Sequence, residues 1–394
     1  MLILVLNCGG SSVKYRLISM PDETDWAQGS VERVGRPGAV WHHRVAGRSP
    51  EDRPLPLVDH AVAVRAVLSG VLDPSGIHDP VAAVGHRVVH AAEKYTGAVV
   101  IDDGVLGALR ECIELAPLHN PPGIAAIEAC RRLLPDAVQV GVFDNTLHRD
   151  LAPAAYLYGL PYRYYERYGV RRWGFHGISF DYVTRRAGEI LGVPREELRL
   201  VTLMLGSGTT ANAMRYGRSV EVSTGFTPTE GLLQSTRCGD LDPEVVTYLM
   251  RKENLDPAAM DDILTRESGW LGICGLGDLR DVEIAAARGN GRAQLALDVF
   301  VHRLKKYVGA YAAIMGGMDG LIFSGGIGEK SAAVRSAVCR GLEFMGIRLD
   351  ERLNEAAGPD TVLSTPGSPA KVLVVKTDEE LYIARETYRV VEGS

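Results

Sequence analysis

The sequence predicts an α/β protein with mixed sheets, organised as two domains that share a cleft. The chain has 394 residues, more than one ordinary core accommodates and well suited to two. Residues 201–222 repeat the strand-turn-strand plan of the first 20 residues, which points to duplicated domains. Long helical patterns follow in both halves.

Taken in order, Leu2 to Leu6 is a β-rich apolar run that stops at the Gly9-Gly10 turn, and Val13 to Ile18 resumes the strand pattern. Helical periodicity covers 106–116 and 121–133. In the second half LVTLMLG, the turn Gly206-Ser207-Gly208, ANAMR, a tight Tyr216-Gly217 turn and RSVEV make a meander. Apolar residues then recur every three or four positions over 291–317. A third glycine turn, Gly325-Gly326-Ile327-Gly328, follows the apolar run LIFS. Glycine lets backbone N–H groups close around phosphate oxygens without a Cβ in the way. Three such turns, each after an apolar run, point to a polyphosphate site.

Composition narrows the class. Hydrophobic residues make up 46% and charged residues 23%, with a net charge of −6. That balance gives no electrostatic case for nucleic acid or an anionic membrane surface. The run Met1 to Leu6 is too short for a signal-peptide core and lacks a basic flank, so a cytosolic location is expected. Asp319 interrupts the best apolar stretch, Gly309 to Gly326, so no membrane span is expected. The six cysteines (8, 112, 130, 238, 274, 339) form no CxxC pair and read as buried free thiols.

Two glycine motifs fail on context. Gly206 to Ala211 satisfies G-x-G-x-x-A, but a strand follows where the dinucleotide fingerprint needs a helix. Gly328-Glu329-Lys330-Ser331 lacks the spacing of a P-loop. Four polar clusters remain: GHRVVH (85–90), PLHNP (117–121), GFHG (174–177) and TRCGDLDP (236–243). Singly, each His or Arg reads as structural. Together they supply the arginines and histidines that hold a small carboxylate and a phosphoryl group in transfer.

These motifs carry a resemblance to the acetate kinase family, within the acetokinase, sugar kinase and actin superfamily. The stretch Asn7-Cys8-Gly9-Gly10-Ser11-Ser12-Val13-Lys14 is similar to the family's N-x-G-S-S-S-x-K, and Gly174 to Phe180 to its G-F-H-G-T-S-H. APLHNP (116–121), VFD (142–144), GFTPTEGL (225–232) and GLEFMGIRLD (341–350) match in the same order, so the resemblance spans nearly the whole chain.

The resemblance implies two ribonuclease-H-like domains of the actin-like ATPase and acetokinase type, with the active site in the interdomain cleft. Their expected bounds are 1–148 plus 378–394, the C-terminal helix closing the first domain, and 149–377. It implies reversible transfer from ATP to acetate with Mg2+, in a homodimer formed through the second domain. Arg87 and Arg237 would hold carboxylate and phosphoryl oxygens, and His176 would hydrogen-bond the phosphoryl in flight. Asp144 and His119 complete the catalytic set. Val89, Leu118, Phe175 and Pro228, beside Arg87, would form the acyl pocket, and Asn7 and Glu379 would hold the metal. Ser12, Lys14, Met204, Leu205, Gly206, Ser207 and Gly208 would face the donor phosphates. Asp278, Leu279, Arg280, Gly326, Ile327, Gly328, Glu329 and Lys330 would take the adenosine side.

The chain departs from the family pattern at Gly10, Ala91-Ala92, Asn145-Thr146-Leu147, Ile178, Phe180, Met204, Ser207 and Lys330. Most of these lie on the donor side. The alternatives left open are a propionate kinase, a homologue using pyrophosphate or another nucleotide, and an impaired kinase-like binding protein. A carboxylate is already ionised at pH 7 and needs alignment rather than a general base. Asp144 therefore reads as orienting an arginine or a metal-bound water.

Overall fold

The computed structural model describes residues 1–72, 80–116 and 119–393. The chain forms two units. The first comprises Met1–Arg149, Gly177–Ser179 and the segment from Asp378 onward, and the second Asp150–His176 and Phe180–Thr377.

The first unit is built on an eight-stranded sheet of β1 (Leu2–Cys8), β2 (Ser12–Ser19), β3 (Thr24–Glu32), β4 (Ala39–Val45), β5 (Glu51–Leu55), β6 (Val81–Val88), β7 (Val99–Val100) and β8 (Val138–Phe143). Their order is β5-β4-β3-β2-β1-β6-β8-β7. β1 pairs antiparallel with β2 and parallel with β6, which runs parallel to β8. Every residue of β1 is buried because both of its faces are covered. Leu2, Leu4 and Leu6 join a core with Val64, Val67, Ala126 and Ala129, from helices His60–Leu72 and Asn120–Leu133. Ile3 and Val5 join another with Ile383 and Ala384 of the C-terminal helix Glu379–Glu392.

The second unit repeats the plan with β9 (Arg199–Leu205), β10 (Thr209–Arg215), β11 (Arg218–Val222), β12 (Gly320–Ser324), β13 (Thr361–Val362) and β14 (Lys371–Val374), in the order β11-β10-β9-β12-β14-β13. Here a three-stranded antiparallel meander, where the first sheet has five strands, is followed by two parallel strands and an antiparallel edge, as in the first unit. This shared order is the ribonuclease-H-like arrangement, and the duplication read from the sequence is one of topology. The core packs Val201, Leu203 and Leu205 of β9 against Phe300, Leu304 and Val308 of helix Gly291–Met315.

Boundaries differ from the sequence reading for local reasons. The helix expected over 106–116 runs Asp103–Glu111, because the Asp102 carboxylate accepts the Val105 N–H and caps it early. The long helix stops at Met315, where Gly316 turns left-handed at φ 72°. The third glycine segment is a short helix, Gly325–Lys330, which follows β12 directly. All six cysteines are free thiols, but Cys238 and Cys274 are only half-buried. Among the described residues no helix is long and apolar enough to cross a membrane.

Candidate active site

In the first unit three neighbouring strands end together, and their carboxyl ends carry a cluster of polar side chains. Asn7 lies near the end of β1, Arg87 near the end of β6, and Asp144 immediately follows β8. In parallel sheets such ends are where ligands bind. The Arg87 guanidinium donates Nε (3.1 Å) and Nη2 to Asp144 Oδ2, and Nη1 to Asn7 Oδ1 (3.1 Å). Asn7 Nδ2 donates in turn to Glu379 Oε2 (2.8 Å) and Glu380 Oε1 (3.2 Å), and Ser179 Oγ donates to Glu379 Oε1. Burial disfavours the charge on Arg87, but Asp144, Glu379 and Glu380 outweigh it and hold its pKa above the ordinary value.

Asp144 is almost fully buried, and its Oδ1 has no hydrogen-bond partner. Its carbonyl accepts the Gly177 N–H at 2.9 Å. A Cβ on Gly177 would come within 2.2 Å of that oxygen, so only glycine permits this approach. Among the described residues no group of three His, Cys, Asp or Glu side chains converges as a metal cage. What the site offers is the Glu379 and Glu380 carboxylates meeting at the Asn7 amide, with the unpartnered Asp144 oxygen on the other side of Arg87's network. That hard-oxygen set suits a magnesium ion, which takes one or two carboxylates and completes its shell with water and phosphate.

The second unit presents the first turn of β9–β10 beside an arginine that lacks a carboxylate. A Cβ on Gly208 would lie 3.9 Å from Arg237 Nη1, so the guanidinium sits close to the Gly206-Ser207-Gly208 turn. Arg237 donates Nη1 to Gln234 Oε1 (3.2 Å). Burial alone pushes its pKa down, with no carboxylate to oppose that. A half-buried guanidinium in this state is receptive to an anion. Buried Gln234 also donates Nε2 to the Pro228 carbonyl (2.6 Å), tying an expected acyl-pocket residue to the arginine. His176 precedes helix Gly177–Leu191 at φ 60°, a left-handed conformation costly for a non-glycine residue. Its Nδ1 is hydrogen-bonded to Thr210 Oγ1 at 2.9 Å.

The glycine segment after β12 is held from both sides. Gly325, at φ 77°, leaves no room for a Cβ, which would meet the Leu205 carbonyl at 2.6 Å. Arg335 donates Nη1 to the Gly328 and Glu329 carbonyls, both at 2.9 Å. A groove of about 530 Å³ runs nearby between three helices, with Glu283, Ala286, Leu297, Val301, Ala333 and Val334 among its lining residues.

The expected site residues therefore fall into sets. Asn7, Arg87, Asp144 and Glu379 form one hydrogen-bonded network. Lys14 is exposed, opposite Asn7 in the β1–β2 register, and the Ser12 carbonyl accepts the Gly9 N–H. Val89 is buried near the end of β6, and buried Phe175 donates its N–H to Thr224 Oγ1. His119 precedes helix Asn120–Leu133. Leu118 lies outside the described residues. Leu205 and Leu279 are core side chains, and Met204 is buried, so Leu205 and Leu279 could meet a ligand only through backbone. Asp278 caps its helix and forms an exposed bidentate pair with Arg280, which pulls its pKa down to about 2. Lys330 is exposed. The sequence reading missed Thr210, Gln234 and Arg335, which hold His176, Arg237 and the glycine segment after β12. Nothing in their local sequence marks them, since each acts across a fold contact.

Comparisons with known proteins place the chain in a family. The sequence model of the Acetokinase family matches residues 2–385. An acetate kinase of Carboxydothermus hydrogenoformans is 48% identical over 99% of both chains. The crystal structure of Porphyromonas gingivalis acetate kinase superposes with a TM-score of 0.93 at 43% identity, covering 99% of each chain. A propionate kinase from Francisella tularensis also superposes at 0.93, with 32% identity and the same coverage.

Proposed function

The chain belongs to the acetokinase family, and on that premise we propose that it transfers the terminal phosphoryl group of ATP to acetate, reversibly, giving acetyl phosphate and ADP. It is a carboxylate kinase, a phosphotransferase with a carboxyl group as acceptor. The observation that carries the finer reading is the contrast between two arginines. Arg87 is locked in place by Asp144 and Asn7, and half-buried Arg237 has no carboxylate partner among the described residues.

Both reactants are anions, so their approach must be screened before any bond forms. In this reading Arg87 holds the carboxylate, while Arg237 and His176 take the equatorial oxygens of a loose, in-line transition state. Thr210 fixes the imidazole and Gln234 the guanidinium, so neither reorganises during the reaction. Val89, Leu118, Phe175 and Pro228 are assigned to the acyl group, and His119 to the carboxylate. Asn7 and Glu379, with Glu380 and Asp144 beside them, would hold Mg2+, which when bound neutralises phosphate charge. The turns at Gly9 and Gly206 and the segment Gly326–Lys330 take the donor, with Asp278 and Arg280 toward the nucleoside. A cytosolic homodimer formed through the second unit completes the proposal.

Acyl hydroxamate formation from ATP, Mg2+, hydroxylamine and a series of acids tests this reading. Acetate and propionate should be used within about tenfold of each other, because an extra methylene that fits the pocket is worth only about 0.8 kcal/mol. Butyrate should be used poorly. A kcat/KM rising through butyrate would overturn the small-pocket assignment, and no hydroxamate from any acid would overturn the reaction.

The donor side supports a second reading, in which ATP binds weakly or another phosphoryl donor is preferred. Met204 and Ser207 supply no imidazole or amide to the second phosphate turn, and Gly10 supplies no hydroxyl to the first. Each missing bond to a charged phosphate weakens binding by about 1.5–3 kcal/mol. Substituting Met204→His together with Ser207→Asn should lower the KM for ATP by about tenfold or more. KM and kcat for ATP, GTP and pyrophosphate, measured before and after, check this. A double variant with unchanged ATP kinetics would show these positions to be silent.

A further inference from the structure

The short segment between β6 and the following turn is clamped at both ends by two consecutive residues. The Asp144 N–H donates to the Val88 carbonyl at 2.9 Å, and the Asn145 side chain donates Nδ2 to the Ala92 carbonyl at 3.0 Å. Between them lie Val89, His90 and Ala91. The clamp holds a conformation the chain resists, because Ala92 sits at φ 52°, a left-handed value its Cβ disfavours. Two further contacts support it. The Ala92 N–H donates to His90 Nδ1 at 3.0 Å, and Asn120 Nδ2 donates to the His90 carbonyl at 2.9 Å. Burial pushes the His90 imidazole down to about 4, so Nδ1 stays an acceptor at neutral pH.

Asn145 is nearly fully buried, and its Oδ1 has no hydrogen-bond partner among the described residues. Burying an amide that leaves one end unsatisfied is unfavourable, and an apolar residue of the same shape would avoid it. Its retained contact is the bond to Ala92.

We infer that Asn145 is a positioning residue for the carboxylate acceptor: by pinning the strained Ala92 it fixes Val89 against the acyl group and keeps β6 in register for Arg87. This rests on the assignment of Val89 and Arg87 to the acceptor site. Asp144 aligns the arginine and Asn145 aligns the wall beside it, so one turn sets both halves of acceptor recognition.

The test is steady-state kinetics with thermal melting on Asn145→Leu and Asn145→Ala, each also made in an Ala92→Gly background. Leucine keeps the shape and removes the unsatisfied oxygen, so Asn145→Leu should melt no lower than wild type. It should still raise the acetate KM by about fivefold, the size of one net hydrogen bond, with the ATP KM within about twofold. In the Ala92→Gly background the same substitution should change the acetate KM by less than about twofold, because glycine holds the left-handed conformation unaided. An acetate KM within twofold of wild type for Asn145→Leu overturns the inference. So does a parallel rise in both KM values, which marks general loosening. Absence of hydroxamate formation by the wild-type enzyme would instead overturn the acceptor assignment, so the two failures are distinguishable.

Discussion

Replacing Arg87 or Arg237 with alanine should reduce turnover by about 10³-fold or more, as loss of an arginine that stabilises a phosphoryl transition state does. The two variants should part company in stability. Arg87 is surrounded by Asp144, Glu379, Glu380 and Asn7, so its removal leaves the buried Asp144 carboxylate uncompensated, a loss of about 3–5 kcal/mol in comparable pairs. Arg237 has no carboxylate partner, and its charge is itself disfavoured by burial. Arg237→Ala should therefore melt at or above the wild-type temperature while being as inactive as Arg87→Ala. Single-turnover kinetics and thermal melts on both variants check this. Retention of more than about a tenth of wild-type turnover by either would remove that arginine from the transition state. Arg87→Lys keeps the charge but loses the planar fork that reaches Asp144 and Asn7 together, and should recover stability without recovering rate.

The strands and turns were legible because their signals are local. The apolar run at Leu2–Leu6, the repeat at 201–222 and the periodicity of helix Gly291–Met315 each depend on neighbours in sequence. Arg87, Asp144 and His176 were legible as motif members, although nothing local showed that Arg87 and Asp144 are bonded. Asp144 and Arg87 stand 57 positions apart and Asn7 and Glu379 stand 372 apart. Such partners meet only because β1, β6 and β8 end side by side and the C-terminal helix returns to them. Gln234 and Thr210 escaped for the same reason. Gln234 sits in a stretch that reads as an ordinary polar loop, and its two-way link to Pro228 and Arg237 exists only after folding. The early start of the helix at Asp103 was a different error, since the Asp102 cap is a local signal that apolar spacing outweighed. Strain was invisible too. No rule applied to the sequence alone places Ala92 or His176 in the left-handed region, and both lie next to groups we propose for the reaction.

Asp144 offers the sharpest separation of alignment from proton transfer. Its Oδ2 receives two N–H bonds from Arg87, a geometry suited to aiming a guanidinium. The acceptor is already a carboxylate at neutral pH, so nothing in the reaction requires Asp144 to take a proton. Asp144→Asn keeps the volume and one acceptor oxygen but removes the charge that opposes the burial of Arg87. It should lower kcat by about 10²-fold, in line with partial loss of a buried charge pair, and Asp144→Ala should lower it further. In the wild type, kcat should stay flat between about pH 6 and 8, because alignment by an ionised pair does not titrate there. A general base would give a different signature. The wild-type rate would fall on the acidic side with a single ionisation, and that limb would vanish in Asp144→Asn. Profiles of kcat against pH for the wild type and the asparagine variant decide between these. An acidic limb that disappears on substitution would make Asp144 a proton acceptor. A flat wild-type profile with a uniformly depressed variant would leave it as the group that aims Arg87 at the carboxylate.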